Sequence, residues 1–81
     1  MATVIKKPTY KACANGGWAC EIDGVKFTFF KPIAGIPFKG VDFKGDWWCK
    51  MYVAGKVFAA RATNREEGIQ MLLEGDCEEV S

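Results

Sequence analysis

The residues best suited to chemistry in this chain lie in one short stretch, PFKGVDFKGDWWCK at residues 37–50. It holds four aromatic side chains and three lysines. Aromatic rings can stack on bases and lysines can neutralise phosphates, so one interpretation is a surface for single-stranded nucleic acid. Aromatic and cationic side chains also anchor protein interfaces, which is a second interpretation. A third is that the rings belong to the edge of a small core, with the cations at its rim.

Catalytic chemistry has little support in this sequence. The chain contains no histidine, so it lacks the usual proton acceptor near neutral pH. Asp42 and Asp46 are close in sequence, but nothing places one of them in the apolar pocket that paired acid catalysis needs. The two common glycine-rich phosphate-binding patterns are missing from the sequence. We therefore predict a protein that is not an enzyme and uses no cofactor.

The four cysteines, Cys13, Cys20, Cys49 and Cys77, are widely spaced. None forms a C-x-x-C pair, so the sequence predicts no zinc site. The start of the chain, MATVIKKPTYK, lacks the apolar stretch of a secretory signal, which favours reduced thiols in the cytoplasm over disulfides. We expect the cysteines to act mainly as small apolar side chains that fill space in the core. A metal-binding or redox role of the cysteines is a further alternative.

Length and charge indicate one domain with a charged surface. The 81 residues form a single domain, 1–81, and 49% of them are hydrophobic, which is enough to fold. The sequence contains no stretch of about 18 apolar residues, so we expect no membrane partner. Residues 1–61 carry ten basic against four acidic side chains (+6), whereas residues 62–81 carry one against six (−5). Such an asymmetry is associated with charged partners.

The elements that must position the aromatic–lysine stretch begin with a hairpin in GWACEIDGVKFTFFK. Asp23-Gly24 suits a type I′ turn, whose two central residues both need positive φ. Folding about it predicts apolar pairs on one face and Glu21 opposite Lys26 on the other. The apolar pairs are Trp18 with Phe29, Cys20 with Phe27, and Ile22 with Val25.

A preceding strand should complete a three-stranded meander at roughly 9–14, 17–23 and 25–31. A three-residue loop, Asn15-Gly16-Gly17, would pair Tyr10 with Ile22, Ala12 with Cys20, and Lys11 with Glu21. Residues 3–6 could add an edge strand that Pro8 would end.

Residues 32–46 form a long connection with two possible roles. Loops of this length are uncommon in compact domains and are often functional. This one is rich in large apolar side chains, so it either packs on the sheet as a flap or offers an apolar contact to a partner. The apolar side chains are Ile33, Ile36, Phe38, Val41 and Phe43.

A second hairpin and a helix follow. WWCKMYVAGKVFAARAT should turn at Ala54-Gly55 or Gly55-Lys56 and place Trp47 inward and Trp48 outward. Thr63 and Glu66 fit a capping box for a helix over about 64–74 that ends at Gly75. Ile69, Leu72 and Leu73 would form its apolar stripe, and DCEEVS an acidic tail.

The predicted fold class is α+β, with about five antiparallel strands, a meander plus a hairpin, and one C-terminal helix packed on one face of the sheet. The second face is then open to water or a partner. We predict that this face binds, through these candidate residues: Trp48, Lys50, Tyr52, Arg61, Phe38, Lys39, Phe43 and Lys44.

The favoured function is a non-catalytic protein-binding module, such as an inhibitor or adaptor, with a protein as its partner. Single-stranded nucleic acid on the same face is the alternative, and a second copy of the chain could also close the sheet to give a homodimer. In general style, a short chain with an aromatic-rich sheet and an acidic terminus is similar to many small phage accessory proteins. That group includes inhibitors of host defence such as anti-CRISPR proteins; the likeness covers no motif and assigns a role to no residue.

Overall fold

The computed structural model describes residues 8–14 and 16–80. Six strands and one helix follow one another along the described chain, and the sheet order is the chain order, a meander with antiparallel neighbours. The elements are β1 (Lys11–Ala12), β2 (Trp18–Ile22), β3 (Val25–Phe30), β4 (Trp47–Val53), β5 (Lys56–Ala62), α1 (Arg65–Glu74) and β6 (Glu78–Glu79). The predicted α+β class is confirmed, with six strands instead of five. The edge strand predicted at residues 3–6 lies outside the described residues.

The first hairpin has the predicted register. Its turn residues Asp23 and Gly24 have φ values of 50° and 80°, as a type I′ turn requires. All five predicted pairs between β2 and β3 are present, including Glu21 opposite Lys26. Local turn chemistry and alternation of apolar residues point to the same register here, so the sequence predicts it well.

Strand β1 pairs two residues away from the predicted register. Lys11 lies opposite Ala19, not Glu21, and Ala12 lies opposite Trp18. The loop is tightened by the Cys13 amide, which donates to the Gly17 carbonyl at 2.8 Å. Since the shift is an even number of residues, each side chain keeps its predicted face, and Tyr10 still packs against the core.

The second hairpin turns at Ala54-Gly55, the first of the two predicted positions. Val53 pairs with Lys56 and Trp47 with Ala62, which gives the predicted division of side chains between the two faces. Both turn residues have positive φ, 51° and 76°. The alanine at φ 51° carries a steric cost that glycine there would not.

Helix α1 begins one residue later than predicted. Its N-cap is Asn64, whose side chain accepts a 2.8 Å hydrogen bond from the Glu67 amide, and the Glu67 carboxylate accepts one from the Thr63 amide at 3.0 Å. The box predicted for Thr63 and Glu66 is therefore displaced by one position, because asparagine is a stronger cap than threonine. Gly75 ends the helix in the left-handed conformation, as predicted.

The C-terminal segment forms a sixth strand instead of a free acidic tail. Glu78 and Glu79 pair with Ala59 and Phe58, and the Val80 amide donates to the Val57 carbonyl at 2.8 Å. Backbone pairing at an open sheet edge needs no apolar side chain, so the acidic composition concealed this strand.

Helix α1 covers one face of the sheet. Residues 32–46 pack on part of the opposite face. The core lies between helix and sheet, where Ile69 and Leu72 meet Phe27, Phe29 and other apolar side chains. Leu73, predicted as part of the helix stripe, is 54% exposed. No helix in the described part of the chain is long and apolar enough to cross a membrane.

Gly68 brings the helix unusually close to β4. A Cβ added there would lie 2.3 Å from Sγ and 2.9 Å from Cβ of Cys49, which is fully buried. By helix propensity alone, glycine at position 68 is less favourable than alanine and would destabilise the helix. The close approach shows that it is needed for packing.

We expect Gly68→Ala to destabilise the protein. Alanine would favour the helix by about 1 kcal/mol through propensity, whereas the overlap with Cys49 should cost about 1–3 kcal/mol. Urea unfolding should therefore give a lower free energy of unfolding than for the wild type. Cys49→Ala should offset part of the loss in the double variant, because it removes the nearest atom. A Gly68→Ala protein at least as stable as the wild type would contradict this packing.

Candidate binding groove

Residues 32–46, called the flap from here on, pack on the sheet face opposite the helix. The ring of Phe38 lies 5.0 Å from that of Phe30 on β3, measured between centroids. Phe43 is buried and lies 6.0 Å from Phe38 and 5.7 Å from Trp48 on β4. A chain of four rings thus fixes the flap to the sheet, as the packing alternative predicted.

The flap also exposes apolar side chains, which the contact alternative requires. Ile33 is 70% exposed and Ile36 is 58% exposed, and Val41 is exposed as well. The packing role is therefore filled by the phenylalanines of this segment, whereas a contact of its aliphatic side chains with a partner stays a prediction. Phenylalanines hold the flap, and aliphatic side chains face outward.

Arg61 clamps the flap from β5. Its Nε donates to Asp46 at 2.9 Å, in an ion pair whose side chains are 40% and 31% exposed. Its guanidinium also donates to the Phe43 carbonyl at 3.2 Å and to the Asp42 carbonyl at 3.4 Å, and its Cζ lies 5.1 Å from the Phe43 ring centroid. Predicted as a binding residue, Arg61 is thus engaged by the protein itself.

Asp42 has a structural role within the flap. Its carboxylate accepts hydrogen bonds from the amides of Lys44 and Gly35, at 3.0 and 3.3 Å. These backbone donors hold the pKa of Asp42 below its ordinary value. The acid therefore stays ionised and orders the turn; nothing about its setting suits a proton-transfer group.

Between the flap and strand β2 lies a groove of about 290 Å³ on the exposed sheet face, referred to below as the groove. Phe30 and Thr28 lie among its lining residues, along with four of the predicted binding residues. Those four are Phe38, Trp48, Lys50 and Tyr52. Cys13 and Gly17, from the loop before β2, also line it.

The other four residues predicted to bind do not line the groove. Lys39 lies beside the groove, with Nζ 5.8 Å from the ring centroid of Phe38. Phe43 is the buried residue by which the flap packs on Trp48, and Arg61 clamps the flap, so both support the groove without lining it. Lys44 is exposed in a turn at φ 51° and is not among the lining residues.

Lys26 lies beside the groove without lining it, and it was not predicted as a site residue. Its Nζ lies 5.9 Å from the centroid of the Tyr52 ring, which lines the groove. The signal was available, because Lys26 shares the predicted outward face of the hairpin with Glu21. Its neighbour on β4 could be known only from the pairing of β3 with β4.

One buried donor in this region is unsatisfied. Nε1 of Trp48 is buried and has no hydrogen-bond partner among the described residues. Leaving such a group unpaired costs about 1–3 kcal/mol.

A second aromatic cluster lies at the start of α1, where Arg65 contacts three rings. Its Cζ is 3.9 Å from the ring centroid of Tyr10, 5.3 Å from that of Trp47 and 5.4 Å from that of Trp18. The Tyr10 hydroxyl donates to the carboxylate of Glu66. Burial, followed by this bond, raises the pKa of Tyr10, so the hydroxyl stays a donor. The sequence missed this cluster because its members come from four separate segments.

The cysteines form no metal-binding group among the described residues, and two of them, Cys20 and Cys49, are buried. All four are free thiols. Burial raises the pKa of Cys49 to about 12 and that of Cys20 above its ordinary value, which keeps both protonated and unreactive. No group of three or more cysteine, aspartate or glutamate side chains in residues 8–14 and 16–80 could hold a metal ion.

Comparison with known proteins adds no relative: no family model, no curated protein and no solved structure matches this chain. The functional argument therefore depends on the geometry of the groove.

We expect Arg61→Ala to loosen the flap without unfolding the protein. The amides of Phe38, Val41 and Asp46 donate to carbonyls within the flap, and hydrogen exchange should be faster at all three. Global stability should fall by no more than about 1 kcal/mol, because the ion pair is largely exposed. Lys56→Ala removes an exposed cation at the far end of β5 and should leave exchange in the flap unchanged. Equal exchange in Arg61→Ala and the wild type would show that Arg61 does not clamp the flap.

Arg65→Gln should lower stability although it removes a cation from a helix N-terminus. The helix dipole penalises a cation there by about 0.3–1 kcal/mol. Contacts with three rings should be worth more, about 1–2 kcal/mol in total. We therefore expect a net loss of about 1 kcal/mol in chemical unfolding. Lys56→Gln, which removes a cation at the β4–β5 turn, is the matched control. An Arg65→Gln protein more stable than the wild type would mean that the dipole dominates.

Proposed function

We propose that this chain is a small non-catalytic protein-binding module that acts through the groove and the exposed part of the flap. A module of this kind works by occupying a surface of its partner, as an inhibitor or an adaptor. Its setting is the cytoplasm, where four unpaired cysteines stay reduced.

The observation that carries the proposal is the apolar surface around the groove. Ile33, Ile36 and Val41 of the flap and Tyr52 of β4 are four of the eight large hydrophobic side chains exposed on the described surface. Tyr52 lines the groove together with Phe38 and Trp48. Val41 is bridged to Phe38 through the backbone, and Ile33 and Ile36 belong to the same flap. An exposed apolar patch beside a concave, aromatic-lined groove is typical of a protein-interaction site.

The arrangement favours a protein over single-stranded nucleic acid. Both arginines of the chain are engaged internally, Arg61 by the flap and Arg65 by the second aromatic cluster. Aliphatic side chains such as Ile33 and Ile36 offer no ring on which a base could stack. The lysines that remain suit either partner, but the exposed aliphatic surface suits a protein.

A groove variant should lose a protein partner and keep its fold. Trp48 is a poor choice for this test, because its ring supports Phe43 and its removal would disturb the flap. Lys50→Ala/Tyr52→Ala alters the groove at two residues, of which Tyr52 is 37% exposed. Leu73→Ala, which removes an exposed hydrophobic side chain from the helix, is the matched control. Circular dichroism should show all three proteins folded.

The measurement is affinity capture from cells of the source organism, with the wild type and both variants as bait and quantitative mass spectrometry as readout. We expect a protein recovered with the wild type and Leu73→Ala and lost with the groove variant. Identical recovery with all three baits, or no protein that depends on the groove residues, would contradict the proposal. Recovery of the chain's own untagged copy would identify the groove as a homodimer interface.

A further inference from the structure

We infer that the groove accepts an acidic segment of the partner protein, one that inserts a large apolar side chain between Phe38, Trp48 and Tyr52. This inference rests on the proposed function and adds the chemistry of the partner. It follows from the size of the groove and from the charges at its rim.

The size of the groove limits what enters it. Its volume of about 290 Å³ is at the lower end of the range for small-molecule sites. Such a space accommodates about one or two side chains and no folded element. The lining rings of Phe30, Phe38, Trp48 and Tyr52 favour an aromatic or long aliphatic side chain, since the occupant buries apolar surface against them.

The rim of the groove is basic and is not neutralised. Lys50 lines the groove, Lys26 lies over Tyr52, and Lys39 lies over Phe38. None of the three forms an ion pair within the described residues, where Arg61 with Asp46 is the sole ion pair. Three ammonium groups around an apolar centre complement carboxylates that flank an apolar side chain.

The acids on the same face do not remove this charge. Asp46 is neutralised by Arg61. The Asp42 carboxylate stays charged but accepts from the amides of Gly35 and Lys44 and forms no salt bridge with a lysine of the rim. Glu21 pairs with Lys26 in the β-sheet register but forms no salt bridge with it. A partner that supplies carboxylates would therefore bind more tightly than one with amides at the same positions, and it would associate faster at low salt.

The test is selection of random peptides about 12 residues long on the immobilised full-length protein. Peptides that also bind Lys50→Ala/Tyr52→Ala are discarded, so that those kept depend on the groove. We expect the remaining peptides to share a net negative charge and a large apolar residue flanked by glutamate or aspartate. A selected peptide resynthesised with glutamine and asparagine in place of its acids should bind about tenfold more weakly by fluorescence anisotropy.

The triple variant Lys26→Gln/Lys39→Gln/Lys50→Gln gives the reciprocal measurement. It should bind the acidic peptide about tenfold more weakly than the wild type and the amide peptide about equally well. The control Lys31→Gln/Lys56→Gln removes two cations elsewhere, one that lies over Trp47 and one at the β4–β5 turn, and should retain the preference for the acidic peptide.

The outcomes separate the inference from the proposed function. Groove-dependent peptides that are neutral or basic would overturn the inference and leave the proposed function standing. Absence of any groove-dependent peptide, together with no groove-dependent protein in the capture experiment, would overturn both. Binding of a mixed-sequence oligonucleotide of about 20 nucleotides more tightly than any peptide, with loss in the lysine triple variant, would overturn the inference in favour of nucleic acid.

Discussion

The contact of Phe38 and Phe43 with the rings of Phe30 and Trp48 is the interaction on which the shape of the proposed binding face depends. Without it the face opposite the helix would be a plain antiparallel sheet, and the flap would have no fixed position. With it the flap forms one wall of a groove and carries Ile33 and Ile36 outward. Arg61 completes the arrangement, because it joins the flap carbonyls to β5. Aromatic packing and a single guanidinium thus convert an uncovered sheet face into a shaped surface.

The two faces of the sheet serve different purposes because their side chains alternate. Phe27, Phe29 and Cys49 point to the helix side and are fully or almost fully buried. Thr28, Phe30 and Lys50 alternate with them along β3 and β4 and line the groove. The close approach of Gly68 to Cys49 holds the helix tightly on the first face. A stable core on one side therefore holds an ordered surface on the other, which would reduce the entropy cost of the binding proposed for it.

Most of the architecture could be predicted from local signals. The turns at Asp23-Gly24 and Ala54-Gly55 and the alternation around them predicted both long hairpins and the faces of their side chains. Errors arose where tertiary pairing overrides composition, as in the strand Glu78–Glu79 and the register of Lys11. For the candidate site, four of the eight residues predicted to bind line one groove in the structure, and that this groove binds a partner stays a prediction. It could not show that Arg61 is engaged by the flap or that Lys26 lies over Tyr52, because both depend on segments that are distant in sequence.

The central claim, that the groove is the binding surface, is tested most directly by amide chemical-shift mapping of the ¹⁵N-labelled protein. An acidic peptide selected as above would be titrated into the full-length chain. The account predicts that the largest shifts fall on Thr28, Phe38, Lys50 and Tyr52, with little change in helix α1. Largest shifts on the helix or around Arg65, with the groove unchanged, would contradict it and place the binding surface on the other face.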